Sequence, residues 1–341
     1  MTFDFGLLQP YVLDEQITDI DSNGSSVFVT HVHKGKYKVM QLEEHYLEGL
    51  IHRLSNSSAI NEQFNYEHPI LDGEIEGLRI HATHRSFSTS GYTLSIRKNP
   101  IDLVITPKMA KKTKYCLPVV FDFLQACIKS KMSVIFGGEV GTGKTQLMKT
   151  MLSMCHENAS IDFISDIDEM RMLELYPQRN IRQYIVNDIM NYTNTTACIL
   201  RDNADYVCFQ EVRDEAVDDL FLVLSSSARV CATVHLKDAL LMPQRLIQLS
   251  QNKNDHHLLS TIHDYIQVCI TPCKELSGGK MKRYIGQIAL FWNDEQRQPQ
   301  KTLLYQQTLN HVRCFKLPDY FKEVFKANHV SLDWREIDEE F

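Results

Sequence analysis

No stretch of the chain approaches the roughly 18–20 consecutive apolar residues that a membrane-spanning helix requires, so any contact with a membrane is expected to be peripheral. The N-terminal stretch from Met1 to Gln16 has no basic leader, and Asp4 interrupts its apolar run, so it is not expected to act as a signal peptide. Cys-x-x-Cys pairs are missing as well. The nine cysteines are scattered, the closest pair being Cys269 and Cys273. An odd, unpatterned set excludes a four-cysteine zinc site and suits a reducing cytoplasm, where cysteine packs as a small apolar residue. Positive charge is not in excess: 36 Lys and Arg stand against 43 Asp and Glu, a formal net charge of −7. No global field draws in nucleic acid or anionic lipid, and stable nucleic-acid binding is not expected. There is no internal repeat and no long low-complexity segment.

What remains is ordinary globular material, 43% hydrophobic and 23% charged over 341 residues, enough for two cores. The first hundred residues predict a small α+β domain. Val27 to His33 alternates as a strand, Lys34-Gly35 turns it, and Tyr37 to Leu42 returns. Glu43 to Leu54 has helical spacing, with Leu47, Leu50, Ile51 and Leu54 on one face. Leu78 to Thr83 and Tyr92 to Arg97 predict two more strands. Asn99 to Lys114, with two prolines and the run PKMAKKTK, is the best linker candidate. Its lysines Lys108, Lys111, Lys112 and Lys114 suit a solvated hinge better than a membrane patch. Pro118 to Lys129 then predicts an amphipathic helix. Beyond it, apolar strands at Ser133 to Phe136, Ile161 to Ser165, Tyr206 to Gln210 and Val230 to His235 alternate with helices, one of them Gln146 to Cys155. This implies an α/β fold with a mostly parallel sheet, whose ligands bind at the C-terminal strand ends. The organisation is therefore an α+β domain over 1–100, a linker over 101–114 and an α/β domain over 115–341.

Gly138-Glu-Val-Gly141-Thr142-Gly143-Lys144-Thr145 fits the P-loop pattern G-x-x-x-x-G-K-[ST], and it lies between a predicted strand and a predicted helix. Glycines let the backbone curl so that several N–H groups face one anion, and the following helix presents its positive end to it. Lys144 supplies a charge for the β- and γ-phosphates of ATP, and the Thr145 hydroxyl suits Mg²⁺. Gln146, next on the helix, completes the candidate ATP-binding set.

Hydrolysis also needs a group that orients water. Tyr206 to Gln210 is an apolar strand leading into Glu211, as a Walker B strand does, which puts Glu211 near both the metal and the water. The plainer alternative is a surface glutamate at a strand end. Ile161 to Ser165 is followed by Asp166, Asp168 and Glu169. Glu169 is thus a rival or auxiliary carboxylate, unless it merely stabilises a helix N-terminus. Val230 to Val234 leads into His235, placed to sense the γ-phosphate or to serve a structural role. The Leu276-Ser-Gly-Gly-Lys280 stretch resembles a transporter signature but fits a hairpin turn better. His31-x-His33, His81-x-x-His84 and His256-His257 lack recurring acidic or cysteine partners for a metal.

The order of these pieces resembles the secretion-ATPase superfamily of type II secretion, type IV pili and type IV secretion, over nearly the whole chain. The matching segments are Gly137 to Thr145, Ser165 to Met170, Leu200 to Ala216, Thr233 to Ala239, and Pro243 to Leu246 with its Arg245. In the N-terminal domain, Pro69 to Thr83 and Tyr92 to Lys98 resemble the family's two arginine-bearing strands, with Arg79 and Arg97 as the matching arginines. The compact members from type IV secretion and Tad-like pili are most similar in layout.

The resemblance implies a PAS-like N-domain, a RecA-like P-loop domain, and a homohexameric ring that binds ATP with Mg²⁺ at the domain junction. It implies that Arg79 and Arg97 lie near the phosphates, their alternative being local pairing with Glu74 or Glu76. Arg201 and Arg213 match Walker B arginines. The implied function is an ATPase that powers a type IV secretion or conjugation apparatus at the cytoplasmic face of the membrane, in contact with inner-membrane components. A pilus or type II secretion motor is the alternative, and a nucleotide-binding scaffold with little turnover is the alternative of another class. Gln210, Ser165 and Gln146 depart from the family's usual glycine, glutamate and threonine, the mark of a divergent member.

Overall fold

The protein is described by a computed structural model covering residues 3–340 except Asp188, Asp214, Glu215, Ser227 and His256. His256 of the His256-His257 pair, and two positions of the Leu200–Ala216 segment, Asp214 and Glu215, therefore lie outside the described residues. The chain forms two compact units, Met1–Ile101 with Leu276–Lys282, and Asp102–Glu275 with Arg283–Phe341.

In the first unit the strands are β1 (Ile17–Ser22), β2 (Ser26–His31), β3 (Gly35–Gln41), β4 (Ile70–Ile75), β5 (Leu78–Thr83) and β6 (Thr93–Lys98). They form an antiparallel sheet in the order β3-β2-β1-β6-β5-β4. The short helix α1 (Gln9–Leu13) precedes them, and α2 (Glu44–Ser55) presents Leu47, Leu50, Ile51 and Leu54 to the core, the face its spacing predicts. From the sheet come Val27 and Val29 of β2, Ile80 of β5 and Ile96 of β6. Glu76 and Gly77 turn β4 into β5 with φ of 52° and 77°, the left-handed pair a tight hairpin requires. Strand β1 is not evident in the sequence because an irregularity between Ile17 and Asp19 breaks its alternation.

The second unit holds β7 (Val134–Gly137), β8 (Ile161–Ser165), β9 (Ile181–Ile185), β10 (Tyr206–Phe209) and β11 (Arg229–Val234). These are followed by β12 (Val268–Ser277), β13 (Lys280–Asn293), β14 (Pro299–Gln307), β15 (His311–Cys314) and β16 (Ile337–Glu340). Their order is β16-β15-β14-β13-β12-β7-β11-β10-β8-β9. From β12 to β9 every paired neighbour is parallel, whereas β13 to β16 extend the sheet antiparallel.

The helices of this unit are α3 (Pro107–Thr113), α4 (Val119–Lys129), α5 (Lys144–Ser153), α6 (Met172–Leu175), α7 (Tyr192–Ile199), α8 (Ala216–Leu224), α9 (Met242–Leu249), α10 (Leu258–Tyr265) and α11 (Asp319–Ala327). Successive residues of the parallel strands enter opposite cores. Val134 and Phe136 join α4 and α5 on one face, while Ile135 joins α8 and α9 on the other. Burial on both faces is why these strands read as continuous apolar runs.

The segment expected to link the domains is structured. Thr106 caps α3 by accepting the Met109 N–H at 3.2 Å, Pro107 fits the first helical turn, and Ile105 and Ala110 are buried in the core of the second unit.

Candidate functional site

The loop between β7 and α5 carries Gly138, Gly141 and Gly143 at φ of 147°, 74° and 98°. A Cβ on Gly138 would lie 2.8 Å from Thr142 Oγ1 and 3.0 Å from the Pro272 carbonyl, so the curl admits glycine alone there. Thr142 is buried and closes the curl by donating to the Glu139 carbonyl at 2.9 Å. Lys144 is buried too, its ammonium donating to the Gly138 and Glu139 carbonyls at 3.0 and 3.1 Å. Burial pushes its pKa down, against the upward pull of Glu211 and then Glu169. No side chain caps α5 at Gly143, so the N–H groups of its first turn, which carries Lys144, Thr145 and Gln146, face outward from the helix end toward the loop.

Strands β11 and β10 lie beyond β7 in the same sheet, so their C-terminal ends stand beside the loop. His235 follows β11. Its Nδ1 is 3.2 Å from the Gly138 carbonyl and its Nε2 is 2.9 Å from Glu211 Oε1. Glu211 follows β10 with Gln210 between. Its Oε2 pairs with the Arg213 guanidinium, and its Oε1, the oxygen nearest His235 Nε2, is buried without a hydrogen bond. Burial pushes the carboxyl up, but Arg213, His235 and Lys144 more than offset it and hold the pKa below the usual carboxylate value.

The strand ends are tied by the backbone as well. Val212 N–H donates to the Thr233 carbonyl at 2.8 Å, and the Thr233 hydroxyl donates to the Gln210 carbonyl. Arg245 Nε reaches the His235 carbonyl at 3.2 Å and so holds that turn from behind.

The carboxylates after β8 are arranged differently. Asp166 accepts the Tyr192 hydroxyl at 3.1 Å, and Asp168 accepts the Arg171 N–H at 2.8 Å. Glu169 acts on Lys144 through its charge, second to Glu211. The structure therefore gathers Gly138, Gly141, Thr142, Gly143, Lys144, Thr145, Gln146, Glu211, His235 and, more distantly, Glu169 at one end of the sheet.

Arg79 and Arg97 belong to the first unit, directly opposite each other on β5 and β6. Opposed cations on one face are unfavourable by themselves, and Asp19 offsets this by accepting from Arg97 Nε at 2.8 Å. Asp19 is thus one local acid that Arg97 meets. Arg201 is exposed. Two residues that carried no signal in the sequence also reach the loop: Lys274 of β12 donates to the Val140 carbonyl and Arg283 of β13 to the Gly141 carbonyl.

The residues at this end of the sheet suit a nucleotide and a cation. A Cβ would fill the curl at Gly138, the Glu211 Oε1 and Gln146 Oε1 oxygens are buried without hydrogen-bond donors, and a threonine hydroxyl and an ammonium complete the donor set. Among the described residues there is no group of three or more His, Cys, Asp and Glu that could hold a metal unaided.

By its fold the second unit is a RecA-like P-loop domain within an α/β protein. A sequence model of the family described as Type II/IV secretion system protein matches residues 111–309, over half of the chain, and the chain belongs to that family. An uncharacterized protein of Bacillus anthracis is 26% identical over 250 residues, 72% of this chain and 56% of that protein, so the chain spans about half the length of this curated relative. The X-ray structure of the Legionella pneumophila ATPase DotB aligns with a TM-score of 0.65 at 16% identity, covering 87% of this chain and 84% of that one. The ATPase DotB of Yersinia pseudotuberculosis aligns at 0.66 with 12% identity, covering 87% and 82%. The pilus retraction motor PilT with bound ADP aligns at 0.62 with 16% identity, covering 87% and 85%. At these identities the likeness is one of fold.

Proposed function

We propose that the chain binds ATP and hydrolyses it, and that the resulting motion drives a secretion or conjugation machine. The observation that carries this reading is the chain of contacts from the loop carbonyl of Gly138 through His235 to the buried oxygen of Glu211. Lys144 leaves its resting bonds to the loop carbonyls and meets the β- and γ-phosphates. Glu211, kept ionised by Arg213, orients water in line with the γ-phosphorus and accepts its proton. The new P–O bond forms as the bond to the β-bridging oxygen breaks, releasing ADP and phosphate. His235 contacts both the carboxylate and the loop, so a change at the γ-phosphate alters its bonds. Mg²⁺ would be held by Thr145 and Glu211 with phosphate oxygens, and supplies charge neutralisation when bound. Gly141, Thr142, Gly143 and Gln146 contribute the surrounding donors, and Glu169 adds negative charge near Lys144.

In this reading Arg79 and Arg97 act on the γ-phosphate charge, as guanidinium does in other P-loop systems, and the working form is a homohexamer. The machine is a type IV secretion or conjugation apparatus, with inner-membrane components as partners and the protein peripheral at the cytoplasmic face. The fact that no helix among the described residues is long and apolar enough to cross a membrane is compatible with that.

Steady-state phosphate release from the full chain is the test. Mg²⁺-dependent turnover by the wild type, abolished in a folded Lys144→Ala variant with weakened ATP binding, is the expected result. Tight ATP binding without phosphate release would instead make the chain a nucleotide-binding scaffold. Wild-type turnover in Lys144→Ala would remove the site assignment.

A further inference from the structure

The hairpin β12–β13 approaches the phosphate loop from the side opposite its N–H groups. Lys274 Nζ donates to the Val140 carbonyl at 2.6 Å, and Arg283 Nε donates to the next carbonyl, Gly141, at 3.1 Å. The Val140 side chain is 60% exposed and does not anchor the loop, and Gly141 has no side chain to do so. These bonds therefore hold the apex of the loop through its backbone. A trans peptide is planar, with C=O and N–H on opposite sides. Fixing the Val140 carbonyl toward Lys274 turns the Gly141 N–H the other way. Fixing the Gly141 carbonyl toward Arg283 does the same for the Thr142 N–H. Two consecutive amides are thus set pointing away from the hairpin. A carbonyl bonded to a cation also makes its own amide a stronger donor. The packing is close, since a Cβ on Gly141 would lie 3.2 Å from Lys274 Nζ.

We infer that Lys274 and Arg283 are positioning residues for a nucleoside polyphosphate, holding the loop amides of Gly141 and Thr142 in their anion-binding orientation from the carbonyl side. The inference rests on the ATP-binding reading above. Neither residue touches the phosphates. They act through the loop, so their effect falls on nucleotide affinity more than on the chemical step. Lys274 adds a second consequence, because its charge contributes to lowering the pKa of Lys144.

Two measurements on the full chain test this. In the ADP-saturated protein, amide hydrogen exchange over residues 138–145 reports the clamp, because the Gly141 and Thr142 N–H groups gain their protection from the bound phosphates. In the Lys274→Met/Arg283→Met double variant these amides exchange faster, while the core strands exchange as in wild type. Fluorescent ribose-labelled ADP and ATP then report affinity. Kd and KM rise about tenfold or more in the double variant, kcat falls by no more than about threefold, and the conservative pair Lys274→Arg and Arg283→Lys recovers most of the loss. Wild-type affinity in a double variant, beside a Lys144→Ala protein that has lost it, overturns the clamp and leaves the ATP site standing. Equal losses in kcat and affinity, with no recovery by the conservative pair, also overturn it, because a general loss of structure explains that pattern. No nucleotide binding by the wild type overturns both.

Discussion

The ends of β8 and β10 are neighbours in one sheet, and both are apolar strands that run into carboxylates, yet they are built for different work. The end of β10 lies one strand closer to β7 and its loop. Glu211 there is gripped by Arg213 on one oxygen and faces His235 with the other. The acids after β8 are largely occupied at home, Asp166 by Tyr192 and Asp168 by the Arg171 amide. The contrast continues inside the strands. Asp162 of β8 is fully buried beside Arg182 of β9, at 2.7 Å, and one of its oxygens has no hydrogen bond. Burial, only partly offset by Arg182, pushes its carboxyl up to about 6, whereas Glu211 is held below the usual range. Two carboxylates with arginine partners thus move in opposite directions: burial prevails at Asp162, where Arg182 is countered by the like-charged Asp202, whereas Arg213, His235 and Lys144 together outweigh it at Glu211. A carboxylate near phosphates is useful when ionised and accessible, while one under the sheet serves the fold.

The sharpest way to break this comparison is to neutralise Glu211. Glu211→Gln is expected to keep ATP binding and slow turnover by about 10²-fold or more, read by phosphate release beside a binding titration. Glu169→Gln is expected to slow turnover only a few-fold, since its charge reaches Lys144 second to that of Glu211. If the ranking is reversed, the principal carboxylate belongs to the β8 end.

The smallest effect concerns stability rather than turnover. The folded-state pKa of Asp162, about 6, lies above its ordinary 3.8. Its contribution is therefore fully present below about pH 4 and lost as pH rises through about 6. Asp162→Asn should remove that part of the pH dependence, leaving a flatter melting-temperature profile between pH 4 and 6. An unchanged profile would show that Asp162 is ionised when folded.

Much of this site is legible in the sequence because its signals are local. The glycine spacing of the loop, the lysine after it and the polar residue after each buried strand are written in adjacent positions. The same holds for α2, whose four apolar residues share one face. Long-range or irregular features are not legible. Lys274 and Arg283 reach the loop from 134 and 142 residues away, and although the turn between them reads as a hairpin, nothing local says which loop it meets. Strand β9 reads as polar because it is an edge strand, and Arg182 in its middle makes sense only once Asp162 is beside it. Helix α3 was hidden by lysines and prolines that suggest a linker, although Pro107 occupies a position where proline suits a helix. Strands β14 to β16 carry mixed polar faces and lie in the antiparallel extension, where no alternation with helices announces them.

The division of the chain bears on how the protein is cut for experiment. Residues Leu276–Lys282 belong to the first unit although they lie far along the sequence, and the Met281 N–H donates to the His33 carbonyl at 2.6 Å. A gene fragment that stops at Ile101 therefore lacks a piece of the unit it is meant to encode. A fragment that begins at Asp102 carries that piece with its His33 acceptor removed. Low activity in such a truncation would mix the loss of Arg79 and Arg97 with the exposure of a severed hairpin tip, so point substitutions within the intact chain are the cleaner instrument.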